Sequence, residues 1–326
     1  MKDKIRVLIF GASGTIGKNL VRKLTEADYI VTCQTRNRHK SISLMTQGPP
    51  GYIIIEECHI FNENKIRELV KQNSIVINLV GILSEKGKNK KFNTFLNVHE
   101  KFPAMLSNIC RECKIEQLIH MSSLGIDESS TDSIYAKSKL NGENQIKNNF
   151  KSATILRSSV VYGVDDKFTN LFASLLSNIP IIFPLYYKGS TLFRPIYISD
   201  LTEIIYQIII QKIKSKTLEC IGPEEISYKN ILERILKIIG KKRLLISIPL
   251  PIAKFMVFFL SLFPKPVIDL EQLRLLKYNN IPSGKYETNF DLGIPSKSHF
   301  DTELKKFLWM YSDRGQFSQP NYKENN

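Results

Sequence analysis

The sequence predicts an α/β fold: a Rossmann-type doubly wound parallel sheet with a smaller C-terminal α+β lobe. Three observations predict it. A glycine-rich turn, "GASGTIG" at 11–17, joins an apolar, β-branched run to a run with helical spacing. Short apolar runs then alternate with helical patterns as far as residue 158, the pattern of βαβ units. Beyond residue 161 the text changes to short helical pieces, isolated strands and proline-bearing turns such as "NIPIIFPLYY" and "FRPIYISD".

Ile5 to Phe10 reads as a buried parallel strand, because it is apolar without alternation. Thr15 to Ala27 reads as a helix, with Ile16, Leu20, Val21 and Leu24 on one face. "YIVTCQT", "YIIIEE", "SIVINLV", "EQLIHMSS" and "SATILRS" follow as strands two to six. Helical patterns over Asn62 to Gln72 and Lys91 to Lys114 lie between them. We therefore expect a first domain at 1–160, a smaller lobe interleaved with it at 161–311, and a frayed tail at 312–326, where the text is polar and aperiodic.

Each glycine of the first turn has a separate physical task. Gly11 permits the tight strand-to-helix turn, Gly14 lets a diphosphate approach the backbone, and Gly17 lets the helix pack closely on the strand. The helix N-terminus adds unpaired N–H groups and the positive end of a dipole. Gly11, Ser13, Gly14, Thr15, Ile16 and Gly17 are thus the expected diphosphate-binding residues of an NAD(P)-binding domain. The second strand ends in "CQTRNRHK" with no acidic residue to hold a ribose 2′-hydroxyl. Arg36 stands there instead, and its planar guanidinium suits a 2′-phosphate, which favours NADPH over NAD(H).

"SIYAKSKLNGE" carries Tyr135 and Lys139 four residues apart, on one face of a helix. Ser122 and Ser123 end the fifth strand. A Tyr–Lys–Ser set is coherent acid–base chemistry. The tyrosine exchanges a proton with a carbonyl, the lysine ammonium depresses the tyrosine pKa and holds the ribose, and Ser123 holds the carbonyl. The expected catalytic residues, vestigial or working, are Tyr135, Lys139 and Ser123.

The net charge of +15 on 326 residues is large, but lysine is spread along the chain without arginine–aromatic interleaving. This argues against a nucleic-acid partner and leaves two readings, a basic face towards an anionic membrane surface or a chain in which lysine is simply abundant; the first gives the expected partner. Five cysteines, an odd number, make no disulfide framework. Cys110 and Cys113 lie in a helical stretch without a second pair, so no metal site is expected. "PIAKFMVFFLSLF" at 251–263 is apolar nearly all round, with Phe255, Met256, Phe258 and Phe259 within five positions. At ~1.5 Å per residue such a helix reaches about 20 Å, too short for a hydrocarbon core of about 30 Å. It is either a core helix of the second lobe or an interfacial one. Because the first strand begins at residue 5, no signal or import sequence is expected, and the unpaired cysteines lead us to expect a reducing, cytoplasmic setting.

"GASGTIG", "HMSSLG" and "YAKSK" together resemble an extended or atypical short-chain dehydrogenase/reductase of the NAD-dependent epimerase/dehydratase kind. "SIVINLVGIL", "ILRSSVVYGVDDKFTNLFASLL", "FRPIYISDL", "ECIGPEEISYKNILERIL" and "LLISIPLPIAKFMVFFLSLFPKP" resemble, in order, the family of alpha-subcomplex subunit 9 of respiratory complex I and its bacterial relatives. That resemblance implies an accessory protein of NADH:ubiquinone oxidoreductase. Such a protein holds NADPH as a structural ligand and sits near the quinone-binding region beside the membrane. With the apolar stretch at 251–263 and the basic residues on both sides of it, we expect this chain to be peripheral on the cytoplasmic face of the inner membrane. The resemblance further implies Gly81 under the adenosine ribose and Tyr135 and Lys139 at the nicotinamide ribose. This chain departs from the family in two places: His59 stands where many relatives have an acidic residue, and Ser158 where many have proline. The motifs alone point to an alternative, an active NADPH-dependent reductase or epimerase, and a related branch is linked to ubiquinone synthesis.

Overall fold

The computed structural model describes residues 4–85, 92–260 and 270–313. Among these, eight strands form one sheet: β1 (Arg6–Phe10), β2 (Ile30–Thr35), β3 (Ile53–Glu57), β4 (Ile75–Asn78), β5 (Gln117–Ser123), β6 (Thr154–Ser158), β7 (Thr217–Cys220) and β8 (Glu287–Thr288). Their spatial order is β3-β2-β1-β4-β5-β6-β7-β8, and every neighbouring pair is parallel. The chain turns back on itself between β1 and β4. In an open parallel sheet the crevice at such a reversal, beyond the carboxyl ends of the strands, is where ligands bind.

The helices of the sheet are α1 (Thr15–Glu26), α2 (Glu63–Lys71), α3 (Phe102–Glu112), α4 (Ile134–Asn149) and α5 (Ile198–Ile210). α1 forms because Leu20, Val21 and Leu24 recur on one face, and all three are fully buried. α2, α3 and α4 bury a common core of Ile66, Leu69, Phe102, Leu106, Ile109 and Ile146 against Leu8, Phe10 and Val76 of the strands. The chain divides into two compact units. The first comprises Met1–Ser158, Ile198–Cys220 and Pro282–Pro295, so two stretches beyond residue 160 return to the sheet.

The helix expected from Lys91 begins later. Thr94 acts as its stop, since its hydroxyl accepts the Asn97 N–H at 3.1 Å. A π-helical turn, Leu96–Lys101, then leads into α3. Residue 91 lies outside the described residues. The wide turn brings its backbone close to α4: a Cβ on Gly142 would stand 1.8 Å from the His99 carbonyl oxygen. No side chain larger than hydrogen fits there without moving one element.

The second unit comprises Ser159–Tyr197, Ile221–Ile281 and Ser296–Asn326. Its core joins Phe172, Leu176, Tyr228, Ile231, Ile235 and Phe300. The helix Tyr228–Ile239 starts on Ser227, whose hydroxyl accepts the Asn230 N–H, and ends on Gly240 in the left-handed region. A helix spans Leu250–Leu260. Ala253 is its buried contact, whereas Leu250, Ile252, Lys254 and Phe255 are exposed, Phe255 to 64%. Phe258 and Phe259 lie outside the described side chains, as do residues 314–326 of the expected tail. No helix among the described residues is long and apolar enough to cross a membrane.

Candidate functional site

The site is built at the carboxyl ends of β1, β4 and β5. Gly11 follows β1 with φ +82°, in the region that disfavours side chains, and a Cβ there would meet the Leu79 backbone at 3.1 Å. Gly17 packs α1 onto the turn, since a Cβ would lie 2.4 Å from the Gly11 carbonyl oxygen. Gly14 is the N-cap of α1, so no side chain caps that end, and the first turn carries no acidic residue. An uncapped helix start with a backbone approachable at Gly14 fits the diphosphate of a dinucleotide. The donors and the dipole are there, and no carboxylate competes.

Arg36 follows β2, is exposed, and donates from Nη1 to Asn93 Oδ1 at 3.2 Å. The Arg38 amide donates to Glu57 Oε2 at 2.8 Å, so that carboxylate is engaged with backbone. His59 accepts the Phe61 N–H at Nδ1 (3.3 Å) and meets the Phe92 ring edge-on at 5.1 Å. Ser158 ends β6 opposite Ser123, and its carbonyl accepts the Leu124 N–H at 2.9 Å.

Tyr135 and Lys139 project from α4, which Ser133 caps by accepting the Ala136 N–H. The Tyr135 hydroxyl is 2.7 Å from Ser123 Oγ. Lys139 is buried and donates from Nζ to the Met121 carbonyl at 3.1 Å. Gly81, after β4, lies beside it, with an added Cβ 3.4 Å from Lys139 Nζ. The structure therefore gathers Gly81, Ser123, Tyr135 and Lys139 in one place. One expectation is corrected. Lys139 does not depress the Tyr135 pKa; burial raises it, and only the Ser123 hydrogen bond pulls the other way. Burial likewise brings Lys139 down to about 8, with Glu143 opposing.

Several residues of the site carried no motif. His99, on the π-helical turn, is buried and accepts the Ile82 N–H at Nε2 (3.1 Å). Its Nδ1 therefore carries the proton and donates to Ser138 Oγ at 3.0 Å. His120, on β5, accepts at Nδ1 from Asn78 Nδ2 at 3.1 Å. Burial, then the Lys139 charge, lowers both imidazoles, His99 to about 2 and His120 well below its ordinary value. Protonating either ring would also break the hydrogen bond it accepts. The unfolded chain binds these protons near pH 6.5 and the folded chain does not, so stability is complete above pH 6.5 and falls as pH drops. Each histidine should contribute about 1.4 kcal/mol per pH unit. Thermal melts should therefore fall between about pH 6.5 and 5, before carboxylates titrate. A flat profile over that range would refute the assignment.

The five cysteines are all free; Cys33, Cys58, Cys110 and Cys220 are buried, Cys113 half-buried. Burial raises the thiol pKa of all four buried ones. Among the described residues no group of His, Cys, Asp or Glu could hold a metal ion.

Known proteins resemble the chain at two levels. It is 24% identical over 288 residues to the mitochondrial NADH-ubiquinone oxidoreductase 40 kDa subunit of Neurospora crassa, a match that covers 88% of this chain and 74% of that one. It is 29% identical over 198 residues to NADH dehydrogenase [ubiquinone] 1 alpha subcomplex subunit 9 of Rattus norvegicus, covering 60% of this chain and 50% of the rat protein. The match thus spans only half the length of some relatives. Among solved structures, UDP-glucuronic acid 4-epimerase of Bacillus cereus, in complex with UDP-glucuronic acid and NAD, superposes with a TM-score of 0.69. Its identity is 19%, and the match covers 94% of this chain and 98% of that one. UDP-glucose 4-epimerase of Thermus thermophilus in complex with NAD gives 0.66 at 16% identity, covering 94% and 99%. These likenesses establish the fold. The profile of the NAD dependent epimerase/dehydratase family matches residues 7–219, more than half of the chain, so the chain belongs to that family.

Proposed function

We propose that the protein is an accessory subunit of respiratory complex I that holds NADPH as a structural ligand and turns over little or no substrate. The observation that carries this reading is the extent of the Neurospora match. It covers 88% of the chain, beyond the residues 7–219 that the family profile matches, and so takes in sequence not accounted for by dinucleotide binding. In this reading Gly11, Ser13, Gly14, Thr15, Ile16 and Gly17 hold the diphosphate, Arg36 the 2′-phosphate, and Tyr135 and Lys139 the nicotinamide ribose. Gly81, expected under the adenosine ribose, is read on the nicotinamide side instead, because a Cβ on it would lie 3.4 Å from Lys139 Nζ. When bound, the nicotinamide can accept or donate a hydride. This chain's residues orient it and exclude water from Lys139 and Tyr135.

The proposed location is peripheral, on the cytoplasmic face of the inner membrane, against subunits near the quinone site. Exposed Leu244, Ile246, Leu250, Ile252 and Phe255 support it, with the exposed Lys242 and Lys254 among them. Each cation near an anionic leaflet adds roughly 1 kcal/mol. The test is extraction in mild detergent: the protein should co-migrate with intact complex I. A free monomer beside intact complex I would overturn the reading. The Tyr135–Ser123 contact at 2.7 Å favours a second one, an active NADPH-dependent reductase or epimerase, which that outcome would put first.

The cofactor assignment has its own expected result. NADPH should bind about tenfold tighter than NADH, because only the 2′-phosphate offers Arg36 a charge-assisted bond. Arg36→Ala should bring the two within about threefold. Equal affinities in calorimetry of the wild type would remove Arg36 from the site.

A further inference from the structure

His99 stands at the centre of a hydrogen-bond chain that joins the loop after β4 to the helix of Tyr135 and Lys139. The chain begins at the Ile82 N–H, which donates to His99 Nε2 at 3.1 Å. It continues from His99 Nδ1–H to Ser138 Oγ at 3.0 Å, and from Ser138 Oγ–H to the Tyr135 carbonyl at 2.7 Å. Only the neutral imidazole with its proton on Nδ1 satisfies all three bonds, because Nε2 must accept.

The ring is also held by packing. Phe95 stacks on one face, with centroids 5.5 Å apart and planes at 19°. The Tyr135 ring meets it edge-on at 5.3 Å. Its backbone is fixed in turn, since the π-helical turn presses the His99 carbonyl against Gly142 of α4. Such one-turn widenings of a helix are frequent at functional sites. His99 Nε2 lies 3.8 Å from the position of a Cβ on Gly81, whose nearest neighbour is Lys139 Nζ.

We infer that His99 is a positioning residue of the dinucleotide site: it fixes the Gly81–Ile82 backbone relative to Tyr135 and Lys139, and so sets the shape of the half that receives the nicotinamide ribose. The inference rests on the dinucleotide-binding reading above. It adds a role that follows from the ring's two hydrogen bonds, and Ser138 acts as the second link.

His99→Phe preserves the ring packing against Phe95 and Tyr135 and removes both hydrogen bonds. His99→Gln replaces the acceptor that Ile82 needs, since its amide oxygen can reach the Nε2 position. Two probes separate the halves of the site: NADPH, and 2′,5′-ADP, which lacks the nicotinamide ribose. His99→Phe should weaken NADPH binding about tenfold and leave 2′,5′-ADP binding within about twofold, and His99→Gln should recover most of the loss. A purely structural role would weaken both probes together or neither. If His99→Phe fails to fold, His99→Gln carries the test: it should bind NADPH within about threefold of wild type, with the Ile82 amide still protected from hydrogen exchange. NADPH binding unchanged in His99→Phe, or equal loss of both probes in a folded variant, would overturn the inference alone. Absence of NADPH binding by the wild type would instead overturn the dinucleotide reading on which it stands.

Discussion

Gly14→Asp should abolish dinucleotide binding while leaving the fold intact, with affinity for NADPH down at least about a hundredfold. Gly14 has φ −75° and ψ 171°, an extended conformation that any residue adopts. A Cβ there would have the Gly11 carbonyl oxygen as its neighbour at 3.3 Å, a contact that a small shift relieves. Aspartate is moreover a favoured N-cap, and its charge suits the positive end of α1. The ligand-free variant should therefore melt within a few degrees of the wild type. The same carboxylate would occupy the place of the diphosphate and repel it. The stabilisation that a saturating ligand confers, about 2.7 kcal/mol at a hundred times Kd, should disappear with it. Calorimetry and a thermal-shift series with NADPH measure both effects. Wild-type affinity in Gly14→Asp would show that the glycine turn does not hold the ligand. In cells the accessory reading expects this variant to impair complex I, and Tyr135→Phe to leave respiration near normal, since no proton transfer is required.

Arg157→Ala should cost about 3–5 kcal/mol of stability. Arg157 is 2% exposed, and Glu143 beneath it is fully buried. The guanidinium donates from Nε and Nη2 to Glu143, at 2.9 and 2.8 Å. It also grips both carboxylate oxygens of Asp127, at 2.7 and 3.1 Å, and lies 4.6 Å from the Tyr286 ring centre. Removing it leaves the buried Glu143 carboxylate without its hydrogen-bonded guanidinium, with Lys147 Nζ at 3.7 Å as its remaining ion pair among the described residues, and the cost arises there. Arg157→Lys should recover little, because one ammonium cannot span two carboxylates in a planar fork. Arg157→Met combined with Glu143→Leu should recover most of it, since the uncompensated charge leaves with its partner. Chemical denaturation of the wild type and these variants decides this. A double variant as unstable as Arg157→Ala would show that packing, not charge, sets the cost.

Much of the fold was legible because parallel strands and crossover helices leave local signals. β1 to β6 and α1, α2 and α4 all announce themselves by apolar runs, helical periodicity or capping residues. β7 and β8 did not. Four and two residues long, they are strands because β6 and β7 offer unpaired edges, which is a tertiary circumstance. Periodicity alone starts the helix before α3 too early, because Thr94 stops it by a side-chain hydrogen bond that periodicity does not reveal.

The candidate site divides in the same way. The sequence by itself determined the glycine turn, Arg36 at the end of β2 and the Tyr135–Lys139 spacing, because each depends on residues a few positions apart on one element. It could not determine the protonation behaviour of the site. Tyr135 is raised and not depressed because α4 is covered, and burial outweighs any charge that spacing would supply. Nor could it find His99, 39 residues from Ser138 in sequence, or the buried Arg157–Glu143–Asp127 cluster. Those contacts exist only because Gly142 lets a π-helical turn lie against α4, and because β6 is laid beside β5. Desolvation and long-range hydrogen bonding belong to the packed chain, and the tertiary structure alone decided them.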